Sequence, residues 1–229
     1  MTWAVVPAAG IGRRFGGDAP KQYCNIAGKP LVEHSLHALL AHPDVDGVVV
    51  ALSPDDPYWA GWRTMHGKSI YTCLGGAERA DSVLAALQAL PETVSEDQWV
   101  LVHDAARPCL RAVDLTRLIA LGQADPVGAI LASPVRDTLK RADDQGRSRG
   151  TEPREMLWRA LTPQMFRRGG LTRALQAAMR AGVVATDEAM AMERLGLKPL
   201  LVEGAEDNIK VTTQADLALA EFILKRGLS

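Results

Sequence analysis

The 229-residue chain is short of cysteine, of net charge and of long apolar runs, and each shortage closes off a class of protein. Cys24, Cys73 and Cys109 are its only cysteines, odd in number, far apart and without a C-x-x-C. They provide neither a disulfide framework nor a zinc motif, and they suit a reducing compartment. The formal net charge is −1, from 26 Lys and Arg against 27 Asp and Glu. Sequence-independent nucleic-acid binding needs many uncompensated phosphate contacts, so that class is set aside; local basic loops for small phosphorylated ligands are not. No stretch approaches the roughly 20 apolar residues of a membrane span. The N-terminus has no basic segment, and Pro7 and Gly10 break its apolar run. A soluble, cytoplasmic chain is expected, with neither nucleic acid nor membrane among its partners.

Two nucleotide fingerprints are missing as well. A G-x-G-x-x-G starting at Gly10 would need glycine at position 15, where Phe15 stands, and no G-K-[ST] follows at Walker A spacing. An NAD-linked oxidoreductase therefore lacks its signature.

What is present is an alternation. Apolar runs at 3–8, 45–52, 69–74, 99–104, 127–134 and 199–204 read as strands covered on both faces. Between them, helical patterns are expected over 30–42, 55–65, 78–90, 112–123, 170–181, 187–195 and 213–226. Pro30 fits a first helical position, and Thr186 and Thr213 fit caps. Alternating strands and helices predict an α/β fold with a doubly wound, mostly parallel sheet, whose ligands bind beyond the carboxyl ends of the strands. Residues 136–155 break the pattern, with eleven charged residues in twenty and a turn-like "DDQG". Composition alone favours a solvated loop there; an extended arm reaching a second subunit is the alternative. One domain over 1–229 with one insertion is expected.

Three stretches at loop positions could carry chemistry. "AVVPAAGIGRRFGGDAPKQY" (4–23) leaves the first strand through Ala8, Ala9 and Gly10 into Arg14 and Lys21. Small residues let backbone N–H groups approach a phosphate and cations neutralise it, although a glycine-rich turn is a fair competitor. "LVHDAARP" (101–108) puts His103 and Asp104 at a strand end, with Arg107 just beyond. A carboxylate there can hold a divalent cation or a ribose hydroxyl, and an arginine can clamp a phosphate. His103 reads as a packing or locally bonded residue. "GAEDNIKVT" (204–212) carries Lys210, which spacing alone leaves as an exposed lysine. "TPQMF" (162–166) reads as a turn. His34 and His37 share a helix face but have no evident co-ligands.

Taken in order, "PAAGIGRRFGGDAPKQY", "GGAERADSV", "VHDAARPC", "VRDTLKR", "LWRALTPQMF", "TDEAMAME" and "DNIKVT" resemble the motifs of 2-C-methyl-D-erythritol 4-phosphate cytidylyltransferases. The resemblance runs from residue 3 to about 226. It implies a Rossmann-like nucleotidyltransferase fold and cytidylyl transfer from CTP to methylerythritol 4-phosphate, with Mg²⁺ or another divalent cation as cofactor. By motif, Arg14, Lys21 and Lys210 would be catalytic, and Ala8, Ala9, Gly10, Gly76, Ser82 and Asp104 would surround the nucleotide. Asp104 would also be the metal ligand, and Arg107, Thr138, Arg154, Thr162 and Thr186 would bind the acceptor. Ala77 stands where relatives often carry a longer polar residue. The 136–158 segment would be an extended β-arm interlocking a homodimer, with Arg154 reaching the neighbour's substrate phosphate. Because the chain ends soon after its last helix, no fused cyclodiphosphate synthase domain is expected. The competing readings are a pentitol-phosphate cytidylyltransferase, acting for example on ribitol 5-phosphate, and a nucleotide-sensing protein on an inactive transferase fold.

Overall fold

A computed structural model of the chain describes residues 2–10 and 19–227. The chain opens with β1 (Thr2–Pro7), a 3-10 turn at Lys21–Tyr23, and the small hairpin β2 (Asn25–Ile26) and β3 (Lys29–Pro30), which leads into α1 (Leu31–Leu40). Next come β4 (Gly47–Leu52), the short β5 (Thr64–Met65), β6 (Lys68–Leu74) and α2 (Arg79–Gln88). Then follow β7 (Trp99–Val102), α3 (Ala112–Ala124) and β8 (Gly128–Pro134). After the pair β9 (Leu139–Ala142) and β10 (Ser148–Glu152), β11 (Trp158–Arg167) re-enters the sheet and passes into α4 (Arg168–Arg180). α5 (Glu188–Glu193), β12 (Leu200–Glu203) and α6 (Gln214–Arg226) complete the order.

Eight strands form one sheet in the order β12-β8-β11-β7-β1-β4-β6-β5. β1 pairs in parallel with β4 and β7, β4 with β6, and β8 with β12. β11 is the exception, antiparallel to both β7 and β8. Side chains on a strand alternate between faces, and here each face has its own core. Ala4, Val6, Val48, Val50 and Leu101 pack under α1 and α3. Val5, Val49, Ala51, Val100 and Val102 pack under α2, α4 and α5. Apolar residues at consecutive positions, rather than at alternate ones, are what this double burial requires, so the expected doubly wound sheet is the one observed.

Four local expectations need correction. No helix forms over 55–65: Pro54, Pro57 and Gly61 interrupt it, Asp55 takes φ +50°, and Trp59 and Trp62 meet edge to face against the core. A proline inside a helix removes a hydrogen bond and clashes with the preceding turn. "TPQMF" is not a turn but the centre of the ten-residue β11. Pro163 fits there because the pairing with β8 shifts register between Ala160 and Gln164, and a proline in a sheet needs such an interruption. Thr186 does not cap α5; Asp187 does, its carboxylate accepting from the Met190 N–H at 2.9 Å. Pro30 immediately precedes α1 rather than opening it. Thr213 caps α6 as expected, and Asp216 closes a capping box with it.

The charged segment is no loose loop. β9 and β10 pair antiparallel across a turn in which the Asp143 carboxylate accepts from the N–H groups of Gln145 and Arg147. Gly146 occupies the left-handed position at φ +76°.

Candidate active site

A cavity of about 400 Å³ opens beyond the carboxyl ends of β1, β6 and β7. Its walls include Ala8, Ala9, Gly10, Lys21, Gly76, Ser82, Asp104 and Lys210 from the expected set, together with Gln22 and Arg79. Arg14 lies outside the described residues. Arg107, Thr138, Arg154, Thr162 and Thr186 are not part of this wall.

The small residues have a steric reason. A Cβ on Gly75 would stand 2.4 Å from Ala9 Cβ and 2.8 Å from Ser82 Oγ, so the segments after β1 and β6 are in direct contact. A Cβ on Gly76 would meet Asp81 Cβ at 2.3 Å. Ser82 Oγ accepts from the Gly76 N–H at 3.1 Å and donates to Glu78 O at 3.2 Å, fixing that loop from below. On the β1 side the buried Gln22 side chain donates to Ala8 O at 2.6 Å and to Gly10 O at 3.0 Å. Lys21 Nζ donates to Val211 O at 3.1 Å, and the Val211 N–H donates to Ala106 O at 2.8 Å. The two lysines therefore belong to segments bonded to one another.

Asp104 is the electrostatic centre. Its Oδ1 receives Arg79 Nε at 2.9 Å, and its Oδ2 lies 2.9 Å from Lys210 Nζ and 3.6 Å from Arg107 Nε. Burial pushes the carboxyl up, but Arg79, Lys210 and Arg107 outweigh burial and hold it well below the usual carboxylate range. Arg107 was expected at the acceptor. It is buried beside Asp104, with Nη1 donating to Asn208 O at 2.7 Å and Nη2 to Ala160 O at 3.5 Å. Arg107 thus braces the site from behind.

His103 is fully buried and bonds locally, as read from the sequence. Arg107 O can only accept, so Nε2–H donates to it at 3.0 Å; Nδ1 then accepts from the Thr162 hydroxyl at 2.9 Å. Burial lowers the imidazole pKa to about 4, with the Asp104 charge opposing part of the fall. Thr162 Oγ1 also accepts the Asp104 N–H at 3.1 Å, so this hydroxyl holds the end of β7 rather than lining the cavity. Thr186 is exposed just before α5. Thr138 and Arg154 are both exposed at the root of the β9–β10 hairpin, just before β9 and just after β10, with Arg154 Nη1 donating to Arg136 O.

Sequence reasoning passed over Arg79, Gln22 and Glu188. Arg79 opens α2, where a cation opposes the helix dipole, and that oddity was the available signal. Its Nη1 and Nη2 reach the Glu188 carboxylate at 2.6 and 3.0 Å.

A family model for 2-C-methyl-D-erythritol 4-phosphate cytidylyltransferase (IspD) matches residues 2–226. The chain belongs to that family. Among curated 2-C-methyl-D-erythritol 4-phosphate cytidylyltransferases, that of Xanthomonas campestris pv. campestris (strain 8004) is 66% identical over 222 residues, covering 97% of this chain and 84% of the relative. That of Stenotrophomonas maltophilia (strain R551-3) is 65% identical over 224 residues, covering 98% of this chain and 97% of the relative. The crystal structure of a 4-diphosphocytidyl-2C-methyl-D-erythritol synthase is similar throughout, with a TM-score of 0.82 at 38% identity, over 97% of this chain and 98% of that one. In this cytidylyltransferase, then, the cavity beyond β1, β6 and β7 is the place to look for the chemistry.

A resident metal fits these residues poorly. Both oxygens of Asp104 face cations, and among the described residues no group of three or more His, Cys, Asp or Glu could hold an ion. His34 donates to Ile26 O and His37 pairs with His66, well apart from the cavity wall.

Proposed function

We propose that this chain transfers the cytidylyl group of CTP to 2-C-methyl-D-erythritol 4-phosphate, giving CDP-methylerythritol and pyrophosphate, in isoprenoid precursor biosynthesis. One observation carries the reading: Lys21 and Lys210 converge with Asp104 on a cavity walled by close-packed small residues, in a chain that belongs to this family.

The chemistry follows from charge. A phosphate monoester has its second pKa at about 6, so near neutral pH the acceptor is already largely a dianion and needs no general base. Its phosphate oxygen forms a bond to the α-phosphorus of CTP, and the bond from that phosphorus to the α–β bridging oxygen breaks. Pyrophosphate leaves with the electron pair. The difficulty is one anion approaching another, which preorganised cations relieve as charge develops. Lys210, held by Asp104, and Lys21, held by Val211 O, are fixed cations of this kind. Arg14 is assigned beside them by motif.

Ala8, Ala9 and Gly10 supply a backbone wall for the nucleotide, while Gly76 and Ser82 shape the opposite side. A divalent cation enters this reading as a companion of the triphosphate, since Asp104 is committed to three side chains; no step is assigned to it. Thr186 and the Thr162 segment flank the acceptor in this reading, with Arg107 acting through Asp104. Thr138 and Arg154 enter only through a second subunit. The exposed hairpin, with exposed Met156, Leu157 and Trp158 at its root, supports a homodimer built through residues 136–158. No described helix is long and apolar enough to cross a membrane, in keeping with a cytoplasmic enzyme.

The test is pyrophosphate release with CTP and Mg²⁺, offering methylerythritol 4-phosphate and ribitol 5-phosphate in parallel. Turnover with methylerythritol 4-phosphate is expected. Turnover with the pentitol alone would overturn the acceptor, and turnover with neither would leave a nucleotide-binding protein. Sedimentation equilibrium tests the dimer, and a monomer at micromolar concentration would count against it.

A further inference from the structure

The ion pair between Arg79 and Glu188 has an unusual form. Glu188 is fully buried in the first turn of α5, and Arg79 stands at the start of α2 on the cavity wall. α5 is itself held to the sheet, because Gln164 of β11 donates to Asp187 Oδ2 at 3.0 Å and accepts the Ala189 N–H at 2.8 Å. Glu188 therefore has a fixed place. It grips the Arg79 guanidinium through both terminal nitrogens, which leaves Nε aimed at Asp104 Oδ1. A planar fork held by two atoms cannot rotate, so the direction of its third donor is set. Asp104 then has its orientation determined, and its other oxygen meets Lys210.

Stability alone does not call for such an arrangement. Replacing a buried ion pair by apolar residues of similar volume is often neutral or stabilising. What apolar residues cannot supply is a donor pointed at Asp104.

We propose that Arg79 and Glu188 are positioning residues for the transfer reaction: Glu188 fixes Arg79, Arg79 fixes Asp104, and Asp104 holds the Lys210 ammonium at the reacting phosphate. The inference rests on the functional reading above. It gives α5 a task in the reaction, tying the acceptor-side segment that carries Thr186 to the loop that faces the nucleotide. Burial opposes the charge on Arg79, but Glu188 and Asp104 outweigh it and keep the guanidinium charged throughout the working range.

The decisive variant is the double substitution Arg79→Met, Glu188→Leu, which removes both charges at similar volume. A pair with no part in the reaction predicts near-normal turnover in the folded variant. The positioning role predicts near-normal stability with kcat lowered about tenfold or more, and a KM for CTP changed by less than about threefold. Arg79→Lys, which keeps the charge and loses the fork, is the second variant and is expected to show the same loss of kcat. Double-variant kcat within about threefold of the parent, or restoration of kcat by Arg79→Lys, would overturn the proposal. Failure of both variants to fold would also overturn it, assigning the pair to structure. An inactive parent protein would be a failure of the functional reading itself and would take this inference with it; an active parent with an active double variant would sink the inference alone.

Discussion

Replacing Asp104 with asparagine removes one charge and almost no volume, so it isolates what the carboxylate does for its three cationic neighbours. In the parent, Arg79 and Lys210 each lie 2.9 Å from one of its oxygens, and Arg107 lies 3.6 Å away. Removing one partner of a buried ion pair costs about 3–5 kcal/mol, because a charge is left without compensation. The lower end applies here: Lys210 is 38% exposed and can recruit water, and Arg79 keeps Glu188. About 3 kcal/mol is therefore expected, and for a chain of this length that is a fall of roughly 6–12 °C in Tm. Turnover should fall with it, since Lys210 loses the contact that holds it at the cavity.

The pH dependence sharpens the test. Asp104 titrates well below an ordinary carboxyl when folded, so its contribution is fully present above the unfolded carboxylate range and is lost as pH falls through that range and below it. Urea unfolding of parent and Asp104→Asn between pH 7 and pH 3 should accordingly give curves that approach one another in acid. A loss below about 1 kcal/mol at pH 7, or curves that stay parallel down to pH 3, would refute the picture of Asp104 as the common counter-charge.

Lys21→Ala should lower kcat by on the order of 10²–10³, as removal of a preorganised charge donor does; a change confined to KM in steady-state kinetics would mark it as a ground-state contact. His103 stays neutral when folded down to about pH 4, whereas an unfolded imidazole takes up its proton near pH 6.5. Stability should therefore fall as pH drops between those two values, by about 3 kcal/mol in all, and His103→Gln should flatten that part of the curve in urea titrations. Gly75→Ala brings a Cβ to 2.4 Å from Ala9 Cβ. It should cost about 1–3 kcal/mol and weaken CTP binding, both readable from calorimetry.

The sheet was legible because its strands satisfy a condition that shows locally. Val48, Val49, Val50 and Ala51 are consecutive and all buried, and only a strand covered on both faces needs that. β11 was hidden by its own composition. Thr162, Pro163 and Gln164 look like a turn until the register shift that accommodates Pro163 is known, and that shift depends on β8, some thirty residues earlier. The 55–65 segment failed in the opposite direction, since its apolar spacing suits a helix while Pro57 and Gly61 within it do not. At the site, the backbone-lined wall could be read from glycines and alanines in a row. Arg79 and Glu188 could not, because 109 residues separate them and neither has a local pattern that names the other. Arg107 lay in a legible motif, but its contacts with Asp104 and Asn208 were not legible, because a motif fixes position along the chain and says nothing of which way a side chain turns.

The reversal of β11 has a consequence for how such a molecule can change. Parallel neighbours in a sheet must be joined by a crossover that packs on one face. β8 and β11, being antiparallel, are joined at a single rim, and whatever lies between them can project outward without covering the sheet. The rim in question is the one on which the parallel strands β1 and β7 end. The β9–β10 hairpin is therefore a graft on the working side of the molecule, tethered at two adjacent points. Its length, charge and tip can drift through mutation while the two packed cores stay as they are. A projecting, charged surface has been made independent of the part that must fold.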